Sequence, residues 1–392
     1  MTRTRVGIIG AGPAGLLLGR ILQANGIDAV VIEQRSRDYV LARIRAGVLE
    51  QGTVDTLREY DVAERLDREG LPHEDMKLFW NGVRHSIPMV GDGDRRLTTY
   101  GQSKIVEDLV NLREKDGLPL IFEAEVTGID GLPDTPVIRY VKDGEAYELT
   151  CEFVAGCDGY HGAARRHIPG AERHTFEKEF PFAWFGILAE AESSGETRGF
   201  GHTERGLAVS SSRGPGISRM YLQVDPGFDP ASMRDDAIWD ELDLRLKNQY
   251  GQKVNRGPII DKAVARLRAF VCEKLHYGRL ALAGDACHIV PPSGAKGLNL
   301  AVGDVRLLSE AIIALLQRGD AGLLDRYDAL ALSRIWPTVH WSCLMSEAFH
   351  LFPGQSDFDT RRQYQTLNHW AYDETGQRWF RESMLGRPYP RY

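Results

Sequence analysis

Apolar residues near the start of the chain fall first into an unbroken run, Val6–Ile9, and then into helical spacing at Leu16, Leu17, Leu18, Ile21 and Leu22. The run predicts a fully buried strand, and the spacing predicts a helix lying on a sheet. Ala29–Ile32 repeats the strand pattern. Further on, MKLFWNGVRHSI predicts a hairpin turning at Asn81-Gly82, a pair suited to positive φ. A helix over 105–115 capped by Ser103 is expected next, then a strand over 120–126 and a meander around Asp143-Gly144 that ends in CEFVAGCDG.

Between residues 180 and 270 the pattern changes. FPFAWFGILAE, RGLAVSSSR, SRMYLQV and VARLRAFV are strand-like runs parted by Gly and Pro, which predicts a second, mostly antiparallel sheet. After residue 278 buried α/β returns as a strand over 280–283, a Pro291-Pro292-Ser293-Gly294 loop that cannot be helical, and a helix starting near Lys296. Long helical segments over 324–351, kinked at Pro337, and over 360–381 close the chain and carry Trp336, Trp341, Trp370 and Trp379. Aromatic helices of this kind usually pack into a core; a contact between two copies of the chain is the alternative.

Gly10, Gly12 and Gly15 stand between the first strand and helix with G-x-G-x-x-G spacing. In a dinucleotide-binding unit the first glycine makes the tight turn, the second lets backbone approach a pyrophosphate, and the third lets helix and strand pack closely. Glu33, at the end of the second strand, is placed for ribose hydroxyls. This order of strand, turn, helix, strand and acid predicts a bound dinucleotide, with FAD and NAD(P) undistinguished because both present adenosine pyrophosphate. The expected fold is mixed α/β: a Rossmann-like domain over 1–175 and 276–350, interleaved with an antiparallel substrate domain over 176–275 and closed by a helical region over 351–392.

Composition narrows the partners. With 48 Lys and Arg against 55 Asp and Glu, the chain has no basic footprint for nucleic acid or anionic lipid, which leaves small molecules. Cys151, Cys157, Cys272, Cys287 and Cys343 lack C-x-x-C spacing, so neither a disulfide framework nor a metal site is expected. Scattered thiols, no signal-like start and no long apolar run predict a cytoplasmic protein that does not cross a membrane.

The most informative part of the second sheet is the hairpin at Gly214-Pro215-Gly216. If Arg213 pairs with Arg219, Ser211 lies opposite Tyr221, and all four side chains share one face. That set suits a small aromatic carboxylate, because arginine meets a carboxylate in a bidentate fork. A solvated face with surface arginines fits the pattern equally.

GAGPAG, CDGYHGAAR at 157–165 and GDACHIVPPSGAKGLNL at 284–300 resemble, in order and spacing, the three flavin fingerprints of the single-component FAD-dependent aromatic hydroxylases. YVLARIRAGVLEQG, the YGQ at 100–102 and the arginine hairpin resemble the branch acting on 4-hydroxybenzoate. The resemblance implies FAD as cofactor, NADPH or NADH as electron donor, O₂ as co-substrate and a homodimer. It assigns Gly10, Gly12, Gly15, Glu33, Arg43, Arg45, Gln102, Asp158, Arg219, Asp285, Lys296, Gly297, Leu298 and Asn299 to the flavin. Ser211, Arg213 and Tyr221 would clamp the substrate carboxylate, with Pro292 beside its ring. Arg35, Tyr39, Arg43, His161, Arg165 and Arg268 would hold the nicotinamide coenzyme, and several guanidiniums suit the 2′-phosphate of NADPH.

The pattern breaks on the proton path. The family binds the substrate phenol with one tyrosine and passes its proton through a second toward a histidine; here those positions are Phe200 and Met384, while His73 remains. Activation by a para-amino group, as in 4-aminobenzoate, is one resolution and 3,4-dihydroxybenzoate another; alternatively Tyr389 or a water replaces the lost groups for 4-hydroxybenzoate. A flavin-free NAD(P) dehydrogenase and a non-catalytic scaffold are the rival functions.

Overall fold

A computed structural model describes residues 2–42, 47–132 and 134–390. Strand β1 (Val6–Ile9) is buried at every position, and helix α1 (Pro13–Ala24) lays Leu16, Leu17, Leu18, Ile21 and Leu22 into the same core. β2 (Ala29–Ile32) pairs parallel with β1. The hairpin strands β3 (Asp75–Trp80) and β4 (Val83–Pro88) turn at Asn81, with φ of 51°, and Gly82, with φ of 71°. After them come α2 (Gln102–Lys115), β5 (Phe153–Gly156), β6 (Thr175–Ala189), β7 (Ala208–Gly214), β8 (Ile217–Val224), β9 (Ile259–Cys272) and β10 (Leu280–Leu282). The chain closes with α3 (Gly297–Arg318), α4 (Tyr327–Phe349), α5 (Asp357–Tyr372) and α6 (Glu374–Leu385).

The first sheet runs His276–Tyr277, β10, β5, β1, β2, Leu120–Ile121, and its last five strands are mutually parallel. Ile8 points toward Gly15 of α1, whereas the adjacent Gly7 faces Ile138 and Cys151. Because side chains alternate along a strand, the meander containing Ile138 covers the face opposite α1. The second sheet has eight strands, ordered His288–Ile289, β9, β6, β8, β7, Gly199–Gly201, β3, β4. Alternation sorts its residues as well. Phe182 and Trp184 of β6 join Val209 and Tyr221 in a cluster with α4, α5 and α6, while Phe185, Ile187, Ala208 and Met220 pack on the other side with the helix Asp235–Arg245.

Four expectations need correction. Gly101, not Ser103, occupies the cap position of α2, with no side-chain cap bond, and Ser103 lies inside the helix. Residues 120–126 do not form one strand: Leu120–Ile121 joins the parallel sheet, Ala124–Asp130 joins the meander, and Glu123 turns between them with φ of 56°. The hairpin of β3 and β4 belongs to the eight-stranded sheet, so that sheet also draws on residues inside 1–175. The segment 360–381 is two helices, broken at Asp373, whose side chain accepts the Gly376 N–H. The helix Asp235–Arg245 had not been expected, and α4 runs on through Pro337. Trp341 and Trp370 are core residues, whereas Trp336 and Trp379 are partly exposed. Among the described residues no helix is long and apolar enough to cross a membrane.

Gly15 tests the packing of α1 on β1, since a Cβ there would collide with the Gly10 carbonyl oxygen. Gly15→Ala should cost about 1–3 kcal/mol through overpacking. It should also displace the helix N-terminus, read as a lowered Tm together with lost cofactor absorbance. An unchanged Tm with full cofactor content contradicts the packing argument.

Candidate active site

β10, β5 and β1 are adjacent parallel strands, so the bends that leave their C-terminal ends lie side by side. Gly10, with φ of 105°, sits directly under the Cys157 carbonyl, which leaves no room for a side chain. Gly284 lies between Ala14 of α1 and Ala301 of α3. Below this third bend, Asp304 Oδ2 accepts the Gly284 N–H at 2.9 Å and lies 2.6 Å from His288 Nε2. Three distant glycine-bearing segments therefore meet at the C-terminal ends of adjacent strands, where ligands bind in sheets of this kind.

Both helices that start here lack a side-chain cap, so their first N–H groups and positive dipole ends are available to a ligand. Space is open in front of Gly12, where a Cβ would meet nothing within 4 Å. Glu33 accepts the Ala11 and Arg35 N–H groups, each at 2.8 Å. Asp158 Oδ2 accepts the Ala164 N–H at 2.8 Å, while its Oδ1 is buried without a partner and burial pushes the carboxyl above its ordinary range. Asp285 is exposed. Arg165 locks the second bend to the third by donating to the Tyr160 and Ala286 carbonyls at 2.6 and 2.7 Å.

The segment from Lys296 to Asn299 is tied inward. Lys296 Nζ donates to Glu50 Oε1 at 2.6 Å and to the Met384 carbonyl at 2.8 Å, so its charge is neutralised within the fold rather than left free. Asn299 accepts the Glu50 N–H and the Thr53 hydroxyl and donates to the Val48 and Ala295 carbonyls. Gly297 and Leu298 remain half-buried at the helix start, and Gln102 begins α2. Arg43 and Arg45 lie outside the described residues. Glu50 had not been anticipated; it stands 246 residues from Lys296, and no local spacing links them.

The hairpin carries the expected residues in a different register. Ser211 pairs with Arg219 and Val209 with Tyr221, and the shift between Ser212 and Gly214 leaves Arg213 in a bulge. The slip is two residues, so Ser211, Arg219 and Tyr221 keep a common face. Arg219 pairs with Asp261 at 3.3 Å and lies 5.5 Å from the Tyr221 ring centre. Tyr221 packs against Trp184 with centroids 4.6 Å apart. The Ser211 hydroxyl donates to the Arg219 carbonyl at 2.9 Å. Arg213 donates from Nη1 to the Ser212 carbonyl at 3.1 Å, but its Nε is buried without a partner, and burial lowers its pKa despite the Tyr221 phenol beside it.

Phe200 shares the apolar cluster of Tyr221 and Met384, its ring 5.6 Å from that of Phe349. Met384 is fully buried, and Pro292 is exposed at the start of a single 3₁₀ turn. His73 Nε2 lies 2.5 Å from the Thr99 hydroxyl, and burial together with nearby Arg198 pulls the imidazole down to about 4. Tyr389, one expected substitute on the proton path, donates to the Asn299 carbonyl at 2.6 Å and also meets Thr53, and burial raises its pKa. Its hydroxyl is therefore already engaged in holding the C-terminal segment to α3.

The coenzyme candidates form two groups. His161, Arg165 and Arg268 surround Tyr160, with Arg268 also paired to Glu177 at 3.1 Å. Arg35 lies 5.3 Å from the Tyr39 ring centre, beside a cavity of about 480 Å³ whose lining includes Glu123, Glu125 and Asp143.

Residues 3–342 match the family described as "FAD binding domain". Over 388 residues, spanning 99% of this chain and 96% of the relative, the sequence is 40% identical to a p-hydroxybenzoate hydroxylase of Acinetobacter baylyi. The chain belongs to the FAD-dependent aromatic hydroxylases of the p-hydroxybenzoate hydroxylase type. A 3-(3-hydroxy-phenyl)propionate/3-hydroxycinnamic acid hydroxylase of Mycolicibacterium gilvum is 25% identical over 337 residues, covering 83% of this chain and 57% of that one. The fold matches p-nitrophenol 4-monooxygenase of Pseudomonas putida with a TM-score of 0.83 at 20% identity, over 99% of this chain and 100% of that one.

The protein is thus an FAD-dependent aromatic hydroxylase, in a class that uses NAD(P)H and O₂. The glycine cradle, the two uncapped helix starts and the open space before Gly12 fit FAD. Neither rival function, dehydrogenase or scaffold, accounts for the family match.

Tyr389 in this hydroxylase should behave as a structural residue. Tyr389→Phe should lower stability by about 0.5–1.5 kcal/mol, the net value of a hydrogen bond. Substrate KM and the pH profile of kcat should stay as in the parent, and a displaced pH profile would return Tyr389 to the proton path.

Proposed function

We propose that this hydroxylase acts on a para-substituted benzoate and inserts oxygen next to the para donor. Arg213 holds the carboxylate, assisted by Ser211 and Tyr221, and Phe200, Met384 and Pro292 line the rest of the ring site. The observation that carries this reading is the buried, unpartnered Nε of Arg213 beside the Tyr221 phenol. A buried guanidinium without a counter-ion favours an anionic ligand. The relative named p-hydroxybenzoate hydroxylase supports the substrate class.

FAD, when bound and reduced, supplies the oxygen-activating chemistry. The chain's own residues orient the ring and exclude water. They also decide what happens to a para proton. Phe200 and Met384 carry no proton-transfer group, the Tyr389 hydroxyl is engaged, and His73 is held on Thr99. A phenol has an ordinary pKa near ~10 and stays protonated without a base. An amino group donates to the ring without losing a proton, so 4-aminobenzoate fits this site better than 4-hydroxybenzoate or 3,4-dihydroxybenzoate.

We further propose that His161, Arg165, Arg268, Arg35, Tyr39 and Arg43 serve the coenzyme, with NADPH preferred. Two copies would associate through the C-terminal helices, which expose Phe358, Tyr372 and Trp379. Five free cysteines suit a reducing compartment such as the cytoplasm.

NAD(P)H oxidation, product and peroxide measured across the three benzoates test the assignment; a rate unaffected by all three rejects it. Arg213→Ala should weaken benzoate binding by about 2–5 kcal/mol, roughly 30-fold or more in KM. Unaltered kinetics would remove Arg213 from the site. Phe200→Tyr should raise the ratio of kcat/KM for 4-hydroxybenzoate over 4-aminobenzoate by roughly tenfold or more, in the range of an added proton-transfer group. A constant ratio counts against the proton-path argument.

A further inference from the structure

Helix α4 presents Ser342, Ser346 and, at its C-cap, His350 along one face, since residues four apart are neighbours on a helix. All three are fully buried. The Trp184 indole N–H donates to His350 Nε2 at 2.7 Å. An indole nitrogen can only donate, so Nε2 accepts and the proton of the neutral ring sits on Nδ1. That Nδ1–H reaches the Ser346 carbonyl at 2.8 Å, which also takes the His350 backbone N–H at 3.1 Å. Phe182 stacks on the imidazole at 4.1 Å and 7°, and burial pulls its pKa down to about 3. His350 is therefore a neutral ring of fixed tautomer with both nitrogens committed.

Trp184 in turn forms the wall against which Tyr221 packs. One turn earlier on the same face, Ser346 Oγ donates to the Ser342 carbonyl at 3.0 Å and lies 2.9 Å from Ser293 Oγ, so the Ser293 hydroxyl donates in that pair. Gly294 lies flat on Ser342, since a Cβ there would come 3.0 Å from the Ser342 Cα. One helix face thus touches both the sheet wall holding Tyr221 and the loop carrying Pro292.

We propose that His350 and Ser346 are positioning residues: His350 sets Tyr221 through Trp184, and Ser346 sets the Pro292 loop through Ser293, so that α4 fixes the gap across the substrate site. This rests on the reading of Arg213, Tyr221 and Pro292 as the site's walls. The two residues divide the work. His350 governs how tightly the carboxylate end binds, and Ser346 governs how well the ring is enclosed against water.

The test uses the FAD-loaded enzyme with 4-hydroxybenzoate and 4-aminobenzoate as probes, reading their dissociation constants from the change in flavin absorbance and peroxide released per NAD(P)H oxidised. His350→Phe keeps the ring stack but removes the acceptor, and should weaken binding by roughly tenfold, the value of about 1.4 kcal/mol. His350→Gln, whose amide oxygen can take the Nε2 position, should restore binding to within about threefold of the parent. Trp184→Phe should match His350→Phe and serves in its place if that variant does not fold. Ser346→Ala should leave benzoate binding as in the parent and increase peroxide release. The inference is overturned if His350→Phe or Trp184→Phe binds as the parent does, if His350→Gln is no better than His350→Phe, or if Ser346→Ala weakens binding without added peroxide. A parent enzyme that binds neither probe overturns the functional reading instead, and this inference with it.

Discussion

Two places where backbone lies directly on backbone govern the molecule: Gly15 against the Gly10 carbonyl, and Gly10 beneath that of Cys157. The first sets α1 hard on β1 and puts its uncapped N-terminus at the C-terminal ends of the strands. The second brings the neighbouring strand's bend to the same spot, and Gly284 completes the set by fitting between α1 and α3. Neither overlap tolerates a Cβ, so glycine here is a steric requirement, and the crevice exists only because those contacts close. Two helix dipoles and their free N–H groups then converge on that crevice, an arrangement that fits the anionic groups of FAD.

The eight-stranded sheet contributes by sorting. Alternation along β6, β7 and β8 sends Trp184, Val209 and Tyr221 to the C-terminal helices and Phe185, Ala208 and Met220 away from them. Tyr221 of the polar hairpin therefore faces the apolar cluster under the C-terminal helices. Buried polar contacts tie this cluster to the start of α3 and the loop before it: Lys296 with Glu50 and Met384, Asn299 with the 48–53 segment, and Ser293 with Ser346. Breaking one partner of such a pair would leave an unsatisfied polar group inside, which holds the two regions in fixed relation.

Much of this was legible in the sequence because local chemistry demanded particular residues. The glycine spacing, the Asn81-Gly82 turn and the PPSG interruption before α3 each follow from backbone geometry that few residues allow. The hairpin register was missed by two residues: the tight Gly214–Ile217 pairing at the turn accounts for one and the bulge at Arg213 for the other, and a slip of two leaves the hydrophobic alternation unchanged. The break at Glu123 was hidden because a non-glycine residue takes positive φ there. The pairing of Lys296 with Glu50, and of Trp184 with His350, joins residues 246 and 166 positions apart, a separation at which local pattern carries no information.

The cations assigned to cofactor, coenzyme and substrate differ in how their charge is met. Lys296 is neutralised by Glu50, Arg219 by Asp261 and Arg268 by Glu177 and Glu179. Among these four cations only Arg213 has no carboxylate partner in the described residues, and burial lowers its pKa. A cation held in low-dielectric surroundings interacts with an incoming carboxylate far more strongly than the same pair in water. An anion that settles there relieves an existing desolvation cost, whereas at the paired sites it must first compete with a protein carboxylate. Phe200 and Met384, in the apolar cluster that Tyr221 also joins, carry no charge, so in the proposed site the carboxylate would lie at Arg213 and the para substituent toward them.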